Sequence, residues 1–424
     1  MSKELSKEHQ VVVFARNNDA SIPDYYESHE AVDSVEVHRI NNTMRFPRYY
    51  EYDNSTIARS FEQFLRDQEP DVVHIQHLQG LSALLVPACR KYKIPIVFSL
   101  HDYWLLCRRM SLLRPNLELC SGPAPKKCQQ CRFAEIDRYL VPSFLSKMIN
   151  PVPNSVFSRL ARQSSQRRLQ ETGNIADLLL LNHIARPDYL QALMRDVDIF
   201  VAPSRFVRDL FVKGVEKDRV MMIPHGIDTV RLPHSPKSPS SSMRFGYMGT
   251  VDRHKGVHVL IEAFNAFANR PNMELHIWGA TPSLEYLKFL RRLNRNPNTK
   301  FEGVYSDPST VLSQLDILVI PTVMYETYSI VAREALMSGT PVIAANIGAI
   351  PEVIVDHENG LLFKAGSADD LRTKINLLVD NPQMISQMAT AIPPVQTIRQ
   401  QVSQLTSLYQ DLLHHDPVCP EKKS

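Results

Sequence analysis

Two glutamates, Glu326 and Glu334, stand eight residues apart in YETYSIVAREALMSGTPVIA, residues 325–344. An ionised carboxylate only accepts hydrogen bonds, so a hydroxyl-bearing partner suits it. Glu326 lies in a polar break. Glu334 falls about one turn into a short apolar helix that ends near Met337, just before Gly339. Ser329 is placed to cap that helix, and the amides near 328–331 at its start suit a diphosphate. Thr327, Tyr328, Ser329 and Ile330 are therefore candidate phosphate-facing residues. A carboxylate beside them would repel phosphate. That directs Glu326 to neutral hydroxyls and Glu334 to a ribose diol. The plainer alternatives are a loop charge for Glu326 and a solvated helix face for Glu334.

A second polar stretch, GTVDRHKG at 249–256, follows a predicted strand. Gly249 lets the backbone approach a ligand closely, and Lys255 can meet a phosphate as a point charge. The helix start behind Lys255 adds positive potential. The motif is neither a Rossmann fingerprint nor a phosphate-binding P-loop. Taken alone, the motif favours the plainer reading, a surface lysine before a helix. Taken together, phosphate-binding features flanked by diol acceptors point to a nucleotide-sugar.

The elements that must position these residues follow a strand–helix rhythm. Buried strands are predicted at 10–15, 71–76, 95–100, 198–202 and 219–223, with a short helix in LSALLVPACRKYK and a mostly helical stretch over 132–195. After HSPKSPSSS, a Pro- and Ser-rich linker, the rhythm restarts. Strands are predicted at 243–249, 273–279, 299–304, 316–322 and 340–348. A helix covers 257–269, with Val257, Leu260, Ile261, Phe264 and Ala268 on one face. Helices follow over 368–413, interrupted at Pro393 and Pro394. The reading is two doubly wound α/β domains. One spans 1–232, a linker spans 233–242, and the second domain spans 243–385. Residues 386–424 form a helical segment that packs back on the first domain. Ligands of such sheets lie at the carboxyl ends of the strands.

Four of six cysteines, Cys107, Cys120, Cys128 and Cys131, fall within 25 residues, and the last two form CQQC. The spacing allows a tetrahedral structural Zn²⁺ site. Four reduced loop thiols are the alternative. At 424 residues, 44% hydrophobic and 22% charged, the chain reads as an ordinary globular protein, and a net charge of +3 gives no reason to expect nucleic acid. No apolar run approaches a membrane span, and MSKELSKEHQ carries no signal-peptide core. The expected location is cytoplasmic. Phe144, Leu145, Met148 and Ile149 lead into the Arg-rich stretch 158–168. These residues suit a peripheral contact with an anionic membrane or an ordinary solvated face.

The opening stretch resembles the Glu-x7-Glu signature of the retaining glycosyltransferases related to glycogen synthase, glycosyltransferase family four, of GT-B fold. FGYMGTVDRHKGVHVLIEAF, VAPSRFVRDLF, IPHGIDT and NIGAIPEVIVDHENGLLF resemble the same family's pattern, and HDYW at 101–104 resembles its first-domain histidine motif. The resemblance implies two Rossmann-like domains facing a central cleft. It implies Glu326 toward the transferred sugar, Glu334 on the nucleotide ribose, Lys255 on the diphosphate and His101 approaching the sugar from the opposite domain. It further implies transfer of a hexose from a UDP- or GDP-sugar to a glycan or lipid-linked acceptor in cell-surface polysaccharide synthesis, with retention and without a catalytic metal. The family often has Arg where this chain has Thr250; either Arg253 nearby compensates or phosphate binding is weaker. SKELSKEHQVVVFAR resembles the end of the family's first helix and its second strand. The family's first strand and Gly-rich loop are thus expected to be missing, leaving unpaired backbone groups. A catalytically impaired nucleotide-sugar-binding relic is the alternative reading, and an epimerase of the same architecture is a third. The DVD at 196–198 reads as structural.

Overall fold

The computed structural model describes residues 1–44, 53–124, 127–128, 131, 186–228, 240–391 and 395–414. The predicted helical stretch up to residue 185, most of the linker, Pro393, Pro394 and the Arg-rich membrane candidate lie outside them. The chain forms two compact units. One comprises Met1–Ala202, Arg208–Ile223 and Val402–Ser424, the other Pro203–Val207 and Pro224–Gln401. The break comes earlier than the linker. Ile227 donates its N–H to Gln396 O, and Ile398 returns the bond to Ile227 O, so residues 224–228 belong with the second unit.

The first unit holds seven strands in two sheets among the described residues. β1 (Val12–Asn17) pairs parallel with β3 (Val35–Asn41), which pairs antiparallel with β2 (Glu27–Val32). β4 (Val73–Ile75), β5 (Ile96–Ser99), β6 (Ile199–Ala202) and β7 (Val220–Met222) form a second, all-parallel sheet in that order. β1 and β4 each have one strand neighbour among the described residues. The expectation of a buried strand at 10–15 needs correcting. It runs two residues later and is half-buried throughout, and among the described residues its outer edge has no strand partner. Asp198 supports the structural reading of its motif. Its carboxylate pairs with Arg90 at 2.7 Å and accepts the Ile96 N–H at 2.7 Å, fixing the start of β5. Leu405 and Leu408 of the last helix pack with Val97, Val201 and Ile223.

The second unit is a single parallel sheet. Its strands are β8 (Met243–Met248), β9 (Met273–Trp278), β10 (Thr299–Gly303), β11 (Ile317–Ile320), β12 (Val342–Ala345) and β13 (Gly360–Phe363). Their order is β10-β9-β8-β11-β12-β13. The near-continuous apolar runs of β11 and β12 suit strands covered on both faces. One apolar cluster fills this unit, with Phe245, Phe264, Leu318, Ile343 and Phe363 essentially without exposure. The helix predicted over 257–269 is shorter, Val257–Phe264, followed by a 3-10 turn Asn265–Phe267. Ala268 falls beyond it, half-buried. Arg244 and Asp316 lock the register where β8 and β11 begin. Arg244 N–H and its guanidinium both donate to the Asp316 carboxylate, at 2.8 to 3.2 Å.

Candidate functional site

The chain runs from β8 outward through β9 to β10, then returns to β11 on the other side of β8. That reversal opens a crevice at the carboxyl ends of β8 and β11, the usual ligand position in an open α/β sheet. Both predicted motifs arrive there. The loop after β8 carries Gly249 to Lys255, and the loop after β11 carries Glu326 to Ile330.

Backbone contacts lace the two loops together. Val323 N–H donates to His254 O at 3.1 Å, and Thr322 Oγ1 donates to the same oxygen at 3.3 Å. Gly256, at φ +73°, lies so close to the Pro321 carbonyl that a Cβ there would overlap its oxygen. This packing brings Lys255 Nζ to 2.8 Å from Glu326 Oε1. Glu326 and Lys255 are 14% and 29% exposed, so the pair is partly shielded from solvent and still open to a ligand. Glu326 is held from behind. Its carbonyl accepts the Ala349 N–H at 2.9 Å, and Gly348, at φ +61°, packs directly against its backbone.

Glu334 is half-buried and not on a solvated face. Its carboxylate makes no hydrogen bond or salt bridge among the described residues, and burial holds its pKa above the ordinary carboxylate value. Such a group is short of a donor. The helix is Ile330–Met337, and Ser329 does stand at its N-cap. The expected side-chain cap fails, however. Ser329 sits at φ +54°, ψ +76°, a left-handed conformation from which its hydroxyl makes no capping bond. The amides of Tyr328, Ser329 and Ile330 donate to no other described residue.

The remaining predicted residues divide. Gly249 follows β8 and donates its N–H to Trp278 O at 3.2 Å; Thr250 is exposed, and its carbonyl accepts the Tyr247 hydroxyl at 2.7 Å. Arg253 is exposed and lies over the rings of Tyr286 and Phe289, 5.3 and 5.6 Å from their centroids. Thr327 is half-buried on the loop, and Ile330 is 46% exposed. The Tyr328 side chain is turned to packing. It is buried, and its hydroxyl donates to His225 O at 2.7 Å.

Sequence reasoning missed Arg333. This buried guanidinium stacks 3.5 Å from the Tyr328 ring centroid and donates to the Tyr328 and Ser329 carbonyls. It thereby holds the 328–329 turn. A single Arg amid IVAREALM was the available signal.

His101 is in the first unit, on the loop after β5. Its Nε2 lies 2.8 Å from Gln76 Oε1. Packing around the ring and the nearby His77 lower its pKa, while Asp102 opposes them. Asp102 faces His77 at 2.9 Å and accepts the Trp104 N–H at 2.7 Å. Cys107, Cys120, Cys128 and Cys131 are free thiols lining one cavity in the same unit. Among the described residues, no three His, Cys, Asp or Glu side chains converge in ligand geometry. No described helix is long and apolar enough to cross a membrane.

The family model for glycosyl transferases group 1 matches residues 231–393, and that for glycosyltransferase family 4 matches residues 1–143. The chain is 27% identical over 208 residues to a glycogen synthase of Mycobacterium tuberculosis, covering 47% of this chain and 50% of that protein. It is 28% identical over 295 residues to a D-inositol 3-phosphate glycosyltransferase of Corynebacterium glutamicum, covering 61% and 63%. It thus spans between half and two thirds of the length of these curated relatives. Among solved structures it is similar to a sucrose-phosphate synthase from Thermosynechococcus elongatus, with TM-score 0.64, 16% identity, and 97% and 91% of the two chains covered. It is also similar to Anabaena HepE in complex with UDP and glucose, with TM-score 0.60, 15% identity, and 95% and 100% covered. These likenesses give the fold, an α/β two-domain architecture of GT-B type.

Proposed function

The chain belongs to the group 1 glycosyltransferases, and from that premise we propose that it moves a hexose from a UDP- or GDP-sugar to a glycan or lipid-linked acceptor, with retention of anomeric configuration. The carrying observation is the 2.8 Å contact of Lys255 with Glu326 at the switch point of the second sheet. There a cation for the diphosphate and an acceptor for sugar hydroxyls share one spot. Three further features support the reading. Undonated amides at 328–330 suit phosphate oxygens. The half-buried Glu334 suits a ribose diol. Several similar structures hold UDP or UDP-glucose.

In this reading Lys255 and the helix start stabilise charge on the departing diphosphate as the sugar becomes oxocarbenium-like. The diphosphate draws Lys255 from Glu326, and Glu326 turns to the sugar. The leaving phosphate helps deprotonate the acceptor on the face it leaves, without a catalytic metal. His101 acts on the transferred sugar. A role in cell-surface polysaccharide synthesis follows if the acceptor is a surface glycan or its lipid-linked precursor. A cytoplasmic protein meeting the membrane peripherally suits such an acceptor.

The test is incubation with radiolabelled UDP- and GDP-sugars and a panel of acceptors, with product anomers read by NMR. Transfer with retention is expected, and the Glu326→Ala variant should lose it. Inverted product would overturn the mechanism. Donor binding by calorimetry with no hydrolysis or transfer would establish the binding-only relic instead.

A further inference from the structure

The cysteine-rich loop carries a feature that sugar transfer does not use. We propose that Cys107, Cys120, Cys128 and Cys131 form a four-thiolate site for a tetrahedral divalent metal, zinc in the cell, that braces the loop bearing His101. The proposal is independent of the donor and of the transfer reaction.

All four thiols line a single cavity of about 40 Å³. A void of about 10–15 Å³ already admits a water-sized occupant, so an ion fits as the walls close on it. Among the described residues its lining contains no carboxylate and no imidazole. The donor set is sulfur alone, which selects zinc over the hard cations calcium and magnesium. Arg108, Arg109 and Lys127 line the same cavity. Four thiolates around one divalent ion leave two net negative charges, and these cations stand where that excess would form. An ordinary apolar core pocket has no such need of positive charge.

The backbone already fixes three of the four positions. Cys107 N–H donates to Tyr103 O at 2.6 Å, Cys120 N–H to Leu112 O at 2.7 Å and Cys128 N–H to Ala124 O at 2.8 Å. Cys120 follows a short antiparallel bridge, Leu113 to Leu119, which returns the chain toward Cys107. Cys128 and Cys131 form the CQQC pair, the spacing by which one short segment supplies two ligands. The thiols stand on the cavity wall short of ligand geometry. Loading therefore includes a turning of side chains onto the ion. Each S–H bond breaks as an S–Zn bond forms, and the protons pass to solvent.

The bracing follows from the neighbours of Cys107. Tyr103 and Trp104 are buried, Trp104 N–H is tied to Asp102, and Asp102 is tied to His77. From His101 to Cys107 the chain is thus a single laced turn. A metal at Cys107 would fasten its far end to two other segments.

The experiment uses the full chain, purified under reductant without chelator. Elemental analysis should find one zinc per chain. Titration of the metal-free, reduced protein with Co²⁺ should give the intense visible bands of tetrahedral cobalt thiolate, complete at one equivalent. The double variant Cys128→Ser, Cys131→Ser should lose both signals. Should that variant fail to fold, the cobalt titration of the unaltered chain still decides. Less than a tenth of a zinc per chain together with no tetrahedral cobalt bands would overturn the site. So would recovery of the four thiols as disulfides under conditions that keep Cys89 reduced. Amide exchange over residues 101–107 should accelerate on metal removal. Unchanged exchange with a confirmed metal would overturn the bracing role.

Discussion

The second unit threads six parallel strands through one sheet and one apolar cluster, whereas the first divides its seven described strands between two sheets. In the second, a single topological reversal dictates where a ligand must lie, and short loops laced by backbone hydrogen bonds deliver Lys255 and Glu326 to each other. In the first, the candidate residues sit on the segment after β5, with His101 at its start and the four cysteines further along it. A sheet can position chemistry by strand order alone. A loop must be held by its own side chains, or by something bound to it.

The largest effect separating the units is expected at Lys255. Lys255→Ala should lower transfer by about 10²- to 10³-fold, the usual loss when one preorganised charge-stabilising group is removed, with unchanged thermal stability. Wild-type rates would show that the switch point is not where chemistry occurs.

An intermediate effect should appear only in the first unit. His74 is half-buried between Ser99 Oγ at 2.8 Å and Tyr409 Oη at 2.5 Å, and desolvation of its ring lowers its pKa to about 3. Unfolding returns it to about 6.5. Between those values the unfolded chain binds the extra proton, so stability is intact above about pH 6.5 and falls as pH drops toward 3. The slope reaches about 1.4 kcal/mol per pH unit. His74→Gln should flatten this slope for the transition of the first unit, followed by circular dichroism from pH 7.5 to 5, while the second unit's transition is unchanged.

The smallest effect is at Glu334. Its raised pKa means that the fold disfavours the charged carboxylate, so stability should increase as pH falls through that pKa. Glu334→Gln should accordingly raise the melting temperature slightly at pH 7, yet weaken nucleotide-sugar binding in calorimetry. A variant that melts lower and binds normally would assign Glu334 to structure alone.

Legibility followed the same division. β8, β9, β11 and β12 were readable because each is a short stretch rich in apolar residues that runs into Gly, Pro or Asn, and the motifs simply followed them. The apolar run is continuous in β11 and β12, and interrupted by Arg244 in β8 and by Glu274 and His276 in β9. The 27–41 hairpin went unread. Its strand ESHEAV is mostly exposed, so no burial pattern marked it. Within the site, residue types were legible and conformations were not. Ser329 looks like a cap by type, but its left-handed backbone comes from the turn that Arg333 clasps, a contact no local pattern encodes. Tyr328 read as a ligand residue because its backbone is one candidate. Its ring was claimed by His225, more than a hundred positions away.

The Lys255–Glu326 contact has a consequence for anyone probing the empty protein. A lone lysine beside unshared amides would soak up sulfate or inorganic phosphate indiscriminately. Here the ammonium is already neutralised at close range, so a small anion must first outbid a carboxylate and strand it. Only a guest offering hydroxyls to the displaced acid along with oxygens to the base settles both at once. Simple oxyanions should therefore be poor competitors, and under the proposed function discrimination in favour of the complete glycosyl diphosphate would begin before any specificity pocket is reached.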